Sequence, residues 1–364
     1  MKIVFIGCRS LDHVGGIESY MLNLCTNLAK NGIEVVLYVG SDSQKIEAIN
    51  GFILNHKKVS QNKYVNKFLI GLVSTIYALK EHPDADIYHF NANVAGFFSF
   101  LPILLGKITV YQGHGFEWKR TKWNPIVRYC NKLLDYFVLF INKNILMCSE
   151  EQISYIKKLF PKKTNVVYAP GGVIIPSFDY LSKLKNPLNN ISYILFMGRI
   201  VKEKRCDLLL SAFQNIQDKI NVDLVIAGPI ENESIISAYY DNKRIHIIGS
   251  VFGDIKNAFI RHASVYVIPS ELEGLSISLL EAMSYGCLCI ASDIPANKEA
   301  LNDAGLYFKN GDANELTEVL YDSIKNHQKH DFLKIKVQNR IKKYDWNILS
   351  KNLMQYYNSI SKGK

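Results

Sequence analysis

Short apolar runs alternate with stretches of helical spacing from one end of the chain to the other. Residues 3–7 (IVFIG), 34–40 (EVVLYVG), 86–90 (DIYHF), 108–113 (ITVYQG), 144–149 (NILMCS) and 165–170 (NVVYAP) read as buried strands. Between the first two, apolar positions recur with helical spacing from Ile17 to Lys30, and Asn31-Gly32 supplies a stop signal. A second set then begins: residues 193–198 (YILFMG), 223–228 (DLVIAG), 245–249 (IHIIG), 265–270 (VYVIPS) and 288–292 (LCIAS). Strands and helices in this rhythm imply right-handed crossovers and buried parallel sheets.

The two sets are separated by residues 171–190, rich in Gly, Pro, Ser and Asn and without a clear period. A chain of 364 residues also fits two cores better than one. The expected fold class is therefore α/β, with two doubly wound domains, 1–172 and 173–344, and a cleft between them. Ligands of such sheets sit at the carboxyl ends of the strands.

Composition narrows the partners. Hydrophobic residues are 48% and charged residues 21%, with a mean hydropathy of 0.00, which excludes a disordered chain. Forty-three basic residues face 33 acidic ones, a net charge of +10. Up to Tyr180 the count is 20 basic against 13 acidic, so most of the excess lies in the first half. The surplus points to an anionic partner without saying which. Seven scattered cysteines without a CxxC pair read as packed thiols of a reducing compartment, hence a cytoplasmic location. The N-terminus reads as a strand rather than a signal peptide, and the apolar stretch 94–110 falls short of a bilayer span.

Several motifs are missing. No GxGxxG follows the first strand, no Walker-type loop occurs, and no metal-spaced Cys/His cluster is present, so no metal is expected. Asp84-Ala85-Asp86 precedes its strand and reads as a solvated strand entry. No nucleic-acid-binding motif accompanies the basic charge.

What remains is four short constellations. Gly15-Gly16 opens directly onto the first helix, where free N–H groups suit an anion; an ordinary tight turn would look the same. Gly198-Arg199 ends a strand and Lys204 follows five residues later, two cations suited to a diphosphate or simply to solvent. His114 sits in Gln112-Gly113-His114-Gly115, where alone it reads as a satisfied polar residue at a strand end. The most specific is Glu273-Gly274-Leu275-Ser276, which turns at the glycine and starts a helix at Ser276, with Glu281 further along. A carboxylate in the turn and another in the helix can both face one ligand and accept hydrogen bonds from sugar hydroxyls.

Here the sequence resembles the nucleotide-sugar-dependent glycosyltransferases of family 4 (glycosyl transferases group 1), whose fold is GT-B. The family pattern resembles E-G-[FL]-x-x-x-x-x-E-A-[ML], matched by Glu273-Gly274-Leu275 through Glu281-Ala282-Met283 and continued by Ala291-Ser292-Asp293-Ile294-Pro295 and Glu299. Gly15-Gly16, Gly198-Arg199 with Lys204, residues 247–251 and the terminal Asp345-Trp346 helix also match, so the likeness spans nearly the whole chain. It implies that the C-terminal helix, 345–364, packs back on the acceptor-side N-terminal domain, while 173–344 binds the nucleotide sugar. It implies further that Arg199 and Lys204 hold the donor diphosphate, Glu281 the ribose and Glu273 the donor sugar. Gly274, Leu275 and Ser276 would lend backbone N–H groups, Gly15 and Gly16 would meet the phosphate, and Val251 would lie by the base. His114 takes the place of the family's active-site histidine. Two departures stand out: Gly171-Gly172-Val173 where the family often has Asn-Gly-Val, and Arg205 where a glycine usually follows the lysine.

The implied function is retaining transfer of a hexosyl group from a nucleoside diphosphate sugar, UDP first, to a saccharide acceptor. The segment from His114 to Trp123, basic and aromatic, resembles the subgroup that assembles bacterial surface polysaccharide (O-antigen or capsule), which implies a lipid-diphosphate-linked acceptor. Lys57, Lys58, Lys63 and Lys67 beside Phe68-Leu69-Ile70 suggest an anionic membrane surface as a partner, and a peripheral place on its inner face. The rivals are a sugar-nucleotide epimerase of the same fold and a non-catalytic anion-binding module.

Overall fold

The computed structural model describes residues 1–11, 16–59, 63–119, 123–189 and 191–362, without the side chains of 63–65 and 67. The chain forms two compact units, Met1–Gly172 joined by Trp346–Lys364, and Val173–Asp345.

The first unit is built on eight strands: β1 (Lys2–Cys8), β2 (Glu34–Ser41), β3 (Lys45–Ile49), β4 (Phe52–Lys58), β5 (Ile87–Asn91), β6 (Thr109–Gly113), β7 (Asn144–Met147) and β8 (Val166–Tyr168). They lie in the order β3-β4-β2-β1-β5-β6-β7-β8. All pairs are parallel except β3 with β4. The helices are α1 (Gly16–Lys30), α2 (Lys63–Glu81), α3 (Ala92–Phe97), α4 (Phe100–Leu104), α5 (Pro125–Ile141) and α6 (Glu150–Leu159). One side of the sheet is covered by α1 and the C-terminal helix (Trp346–Ser361), through Met21, Leu24, Leu28, Trp346, Leu353 and Tyr357. The other carries α2 and α3, through Ala78, Ala95 and Phe98, and α5, through Val138 and Leu139.

The β3–β4 hairpin is absent from the sequence-based reading. Its signal is Asn50-Gly51, both at positive φ (49° and 87°), as a two-residue hairpin turn requires. The runs on either side were too polar to register as strands, because β3 is an exposed edge and His56 and Lys57 face inward on β4.

The second unit has six strands, all parallel: β9 (Tyr193–Met197), β10 (Asp223–Ala227), β11 (Ile245–Gly249), β12 (Val265–Ile268), β13 (Cys289–Ser292) and β14 (Leu306–Phe308), in the order β11-β10-β9-β12-β13-β14. Its helices are α7 (Phe178–Lys183), α8 (Cys206–Ile216), α9 (Gly253–His262), α10 (Ile277–Ser284), α11 (Pro295–Leu301), α12 (Ala313–Lys325) and α13 (Asp331–Ile341). Short α7 sits inside the aperiodic stretch, started by Ser177, whose side chain accepts from the Tyr180 amide. Two cores flank this sheet, one under α8 and α12, the other under α9 and α10.

Strand order fixes where a ligand can sit. From β9 the chain winds outward through β10 and β11, then crosses to β12 on the other side of β9. The switch point of this unit therefore lies beyond the ends of β9 and β12, where Gly198-Arg199 and the 270–276 turn emerge. In the first unit the switch lies between β1 and β5, next to the loop leading to Gly16. Among the described residues no helix is long and apolar enough to cross a membrane.

Candidate functional site

At the end of β9 the backbone is drawn tightly against β10. The Gly198 amide donates to the Ala227 carbonyl (2.9 Å), and Gly228, at φ 136°, donates to the Gly249 carbonyl (2.7 Å). A Cβ on Gly228 would stand 1.9 Å from the Gly198 carbonyl oxygen, so only glycine permits this approach. Gly228 was not singled out in the sequence, although it ends a strand run just as Gly198 does.

The loop that follows carries Arg199, Lys204 and Arg205. Arg199 pairs with Glu231 (3.2 Å) and Glu203 (3.7 Å). Lys204 donates to Glu273 at 2.5 Å, with 18% of its side chain and 9% of the glutamate's exposed. The Glu271 amide donates to the Glu203 carbonyl (3.0 Å), which ties this loop to the turn after β12. Arg205 adopts the left-handed conformation, φ 51° and ψ 38°, the geometry for which glycine is the ordinary choice. Its guanidinium is held by both Asp207 carboxylate oxygens (3.0–3.2 Å). The loop thus keeps at Arg205 a backbone shape that glycine would adopt freely.

Beyond β12, Ser270 is buried and its carbonyl accepts from Ser292 Oγ (2.5 Å), which in turn accepts from Asn297 Nδ2 (3.0 Å). This buried chain seats the turn 271–276. Ser276 caps α10, its Oγ accepting from the Leu279 amide at 3.4 Å. Gly274 and Leu275 are half-buried in the turn, and Leu275, Met197 and Val251 pack against the same apolar core. Glu281 projects from α10 to Lys256 of α9, at 2.7 Å. Lys256 is a cation the sequence analysis missed; the pattern of α9 alone marks it only as a charged helical residue.

Tyr266 of β12 gathers these pieces. Its buried hydroxyl donates to the Met197 carbonyl (3.1 Å), bonds Ser278, and lies within the fields of Glu273 and Glu281. Burial drives its acidity well down. The four motif residues Lys204, Glu273, Ser276 and Glu281, with Arg199 at the loop base, are therefore assembled around one strand pair. Each expected cation already holds a carboxylate: Arg199 has Glu231, and Lys204 has Glu273.

In the first unit, α1 begins at Gly16, where a Cβ would meet nothing within 4 Å. Gly15 lies outside the described residues. His114 follows β6; its ring meets Tyr20 of α1 edge-on (centroids 4.8 Å), and Nε2 faces Asn91 Oδ1 at 3.3 Å. Burial lowers its pKa to about 4, which keeps the ring neutral at physiological pH. Asn91 also escaped the sequence reading. Its neighbour Ala92 is at φ 64°, an uncommon conformation for alanine at the end of β5.

One reading changes. Lys57 is not part of a surface cluster: it is buried, bonded to Glu81 at 2.7 Å and set over the Tyr77 ring at 3.9 Å. Side chains at 63 and 67 lie outside the described set, and of the four lysines Lys58 is exposed. In the aromatic loop, Phe116, Trp118 and Tyr155 pack together (centroids 5.0–6.0 Å), while Lys119 pairs with Glu151 and Trp123 Nε1 donates to Glu117. Residues 120–122 of that loop lie outside the described residues. Asp84 pairs with Lys2 at 3.1 Å, as a strand entry would.

A family model described as Glycosyltransferase Family 4 matches residues 14–175, and one described as Glycosyl transferases group 1 matches residues 191–326. The capsular polysaccharide biosynthesis glycosyltransferase CapH of Staphylococcus aureus is 26% identical over 52% of this chain and 53% of its own. The chain thus spans about half the length of that relative. A UDP-Gal:alpha-D-GlcNAc-diphosphoundecaprenol alpha-1,3-galactosyltransferase of Escherichia coli is 25% identical over 61% of this chain and 62% of its own. Among solved structures, sucrose-phosphate synthase from Thermosynechococcus elongatus superposes with a TM-score of 0.84 at 17% identity, over 100% of both chains, which shows the fold, GT-B. The two family matches fall on the two units that carry the Gly16 helix and the Lys204–Glu273 turn, and the chain belongs to the family 4 glycosyltransferases, the glycosyl transferases group 1.

Proposed function

We propose that this protein transfers a hexosyl group from a nucleoside diphosphate sugar to a lipid-diphosphate-linked saccharide, with retention at the anomeric carbon, in surface polysaccharide assembly. The observation that carries the reading is the Lys204–Glu273 pair at the switch point of the second unit, beside the capped start of α10. UDP is the first choice of donor base, supported by the UDP-sugar in the name of the Escherichia coli relative. The lipid-diphosphate acceptor has the same support, and the polysaccharide context that of the capsular relative.

In this reading the diphosphate meets Arg199, Lys204 and the amides of the 274–276 turn, each charged hydrogen bond contributing roughly 1.5–3 kcal/mol. These fixed donors neutralise the charge that develops as the glycosidic bond breaks, and no metal is required. Glu281 takes the ribose hydroxyls and Glu273 the donor sugar. Val251 lies by the base. Neutral His114, oriented by Asn91, donates or accepts a hydrogen bond at the sugar. The leaving phosphate receives the acceptor proton.

Thermal shift with UDP, GDP, ADP and dTDP identifies the base, because a ligand of the native state raises its stability. Transfer is then read with the matching sugar nucleotide and a lipid-diphosphate saccharide, with and without EDTA. No nucleotide shift, or donor isomerised without transfer, rejects the proposal.

A further inference from the structure

We infer that the outer face of α5, continued onto α3, α4 and α2, docks on an anionic lipid bilayer. The inference deepens the reading above and rests on its lipid-linked acceptor.

A surface helix of a soluble protein turns its polar side to water. Helix α5 does the reverse over part of its circumference. Ile126, Tyr129, Leu133, Phe137 and Phe140 are all exposed, Ile126 by 76% and Phe140 by 69%. At about 100° per residue these five fall within roughly 80° of arc. The opposite side of the same helix buries Asp135, Val138 and Leu139. The helix is thus apolar on both sides, and only one of them faces the core.

The outward side does not stop at α5. Phe137 meets Phe97 of α3 (5.2 Å), which touches buried Phe98 edge-on (5.3 Å), and Phe98 in turn meets half-exposed Phe68 of α2 edge-on (4.9 Å). Phe97 also meets Phe100 of α4 (5.8 Å), a helix that ends on Leu104, exposed by 78%, and Leu105. Asn142, just past α5, donates to Ser99 just before α4 (2.8 Å), which keeps the two helix ends together. The exposed apolar arc of α5, with exposed Leu104 and Leu105 at the end of α4, marks an interaction site.

Charge selects the occupant. The only acid of α5 is Asp135, and it is buried. Lys132 lies beside the apolar arc and rests over Trp118 (5.3 Å) and Tyr136 (5.7 Å), while Arg128, on the far side of the helix, donates Nε to the Trp118 carbonyl (2.8 Å). Aliphatic and aromatic side chains bordered by a cation and aromatic rings suit the headgroup boundary of an anionic membrane. Of the lysines first suggested by the sequence, Lys57 is buried and takes no part in this face; Lys132 of α5 supplies a cation beside it.

The test is flotation of the full chain with phosphatidylcholine vesicles holding about one-third phosphatidylglycerol, at low salt. The wild type is expected to float, and the exposed-residue pair Ile126→Ser/Phe140→Ser to partition at least about ten-fold less, with its UDP-induced thermal shift unchanged. A wild type that stays unbound overturns the inference, as does a pair variant that floats equally well. Self-association of the wild type that the pair abolishes, without vesicle binding, assigns the face to a second copy and also overturns it. Flotation lost in the pair variant, with no nucleotide shift in either protein, supports the docking face and rejects the donor reading alone.

Discussion

Replacing Glu273 with Gln separates nucleotide binding from sugar transfer. Glu273 sits 2.5 Å from Lys204, the residue proposed to meet the donor diphosphate, and both side chains are largely covered. A carboxylate there is isosteric with glutamine but adds one negative charge beside an incoming dianion. Two unit charges about 5 Å apart interact by about 3 kcal/mol at an effective dielectric of about 20. Screening and the lost preorganisation of Lys204 take back part of that. UDP alone has no sugar for Glu273 to hold, so Glu273→Gln is expected to bind UDP as tightly as the wild type, or up to about ten-fold tighter. Lys204→Ala removes a charged hydrogen bond worth roughly 1.5–3 kcal/mol and is expected to weaken UDP about 10- to 150-fold. Transfer is expected to fall by about 10²–10³ in both variants. Titration calorimetry with UDP at low salt, alongside a transfer assay, reads the split. If Glu273→Gln loses UDP affinity as Lys204→Ala does, Glu273 is a structural partner of the lysine and its role toward the sugar is wrong.

Arg205→Gly is expected to leave stability within about 1 kcal/mol and transfer intact, since relief of the φ 51° backbone offsets the loss of the Asp207 contact; chemical denaturation measures it, and a loss above about 2 kcal/mol refutes it. Gly228→Ala is expected to lower the melting temperature of the second unit sharply, because its Cβ would meet the Gly198 carbonyl at 1.9 Å; an unchanged melting curve would mean that the strand ends are not so closely joined. Burial lowers His89 to a pKa of about 3 and His114 to about 4, both below the ordinary value of 6.5. The unfolded chain therefore binds more protons than the native first unit between those values. Its stability is complete above about pH 6.5 and falls as the pH drops toward 4. Urea midpoints that do not decline over that range would contradict the buried, neutral rings.

The glycine turn with its two glutamates was legible because the chemistry is local. Ser276 must follow the bend to cap α10, and Glu281 must follow the cap, so their order along the chain fixes their relation. The strand runs were equally plain wherever both faces of a strand are buried, as in β1, β9 and β12. The β3–β4 hairpin was not, since β3 is an exposed edge and β4 buries the polar Asn55, His56 and Lys57.

Sequence alone determined that the chain has two sets of alternating strands and helices, that a capped helix follows a Glu-Gly turn, and that cations stand near the end of β9. Those features depend on backbone preference and hydrophobic period, which act within a few residues. Only the tertiary structure decided which charge meets which. Lys204 finds Glu273 from 69 positions away, Lys256 finds Glu281, and Lys57 turns from solvent to Glu81. It also decided that α5 keeps an apolar side outward, for a helix's period shows that two sides are apolar but not which one the sheet will cover. Ion pairs and burial are properties of what packs alongside, and strand order, set by crossovers rather than by neighbours in sequence, chooses those companions.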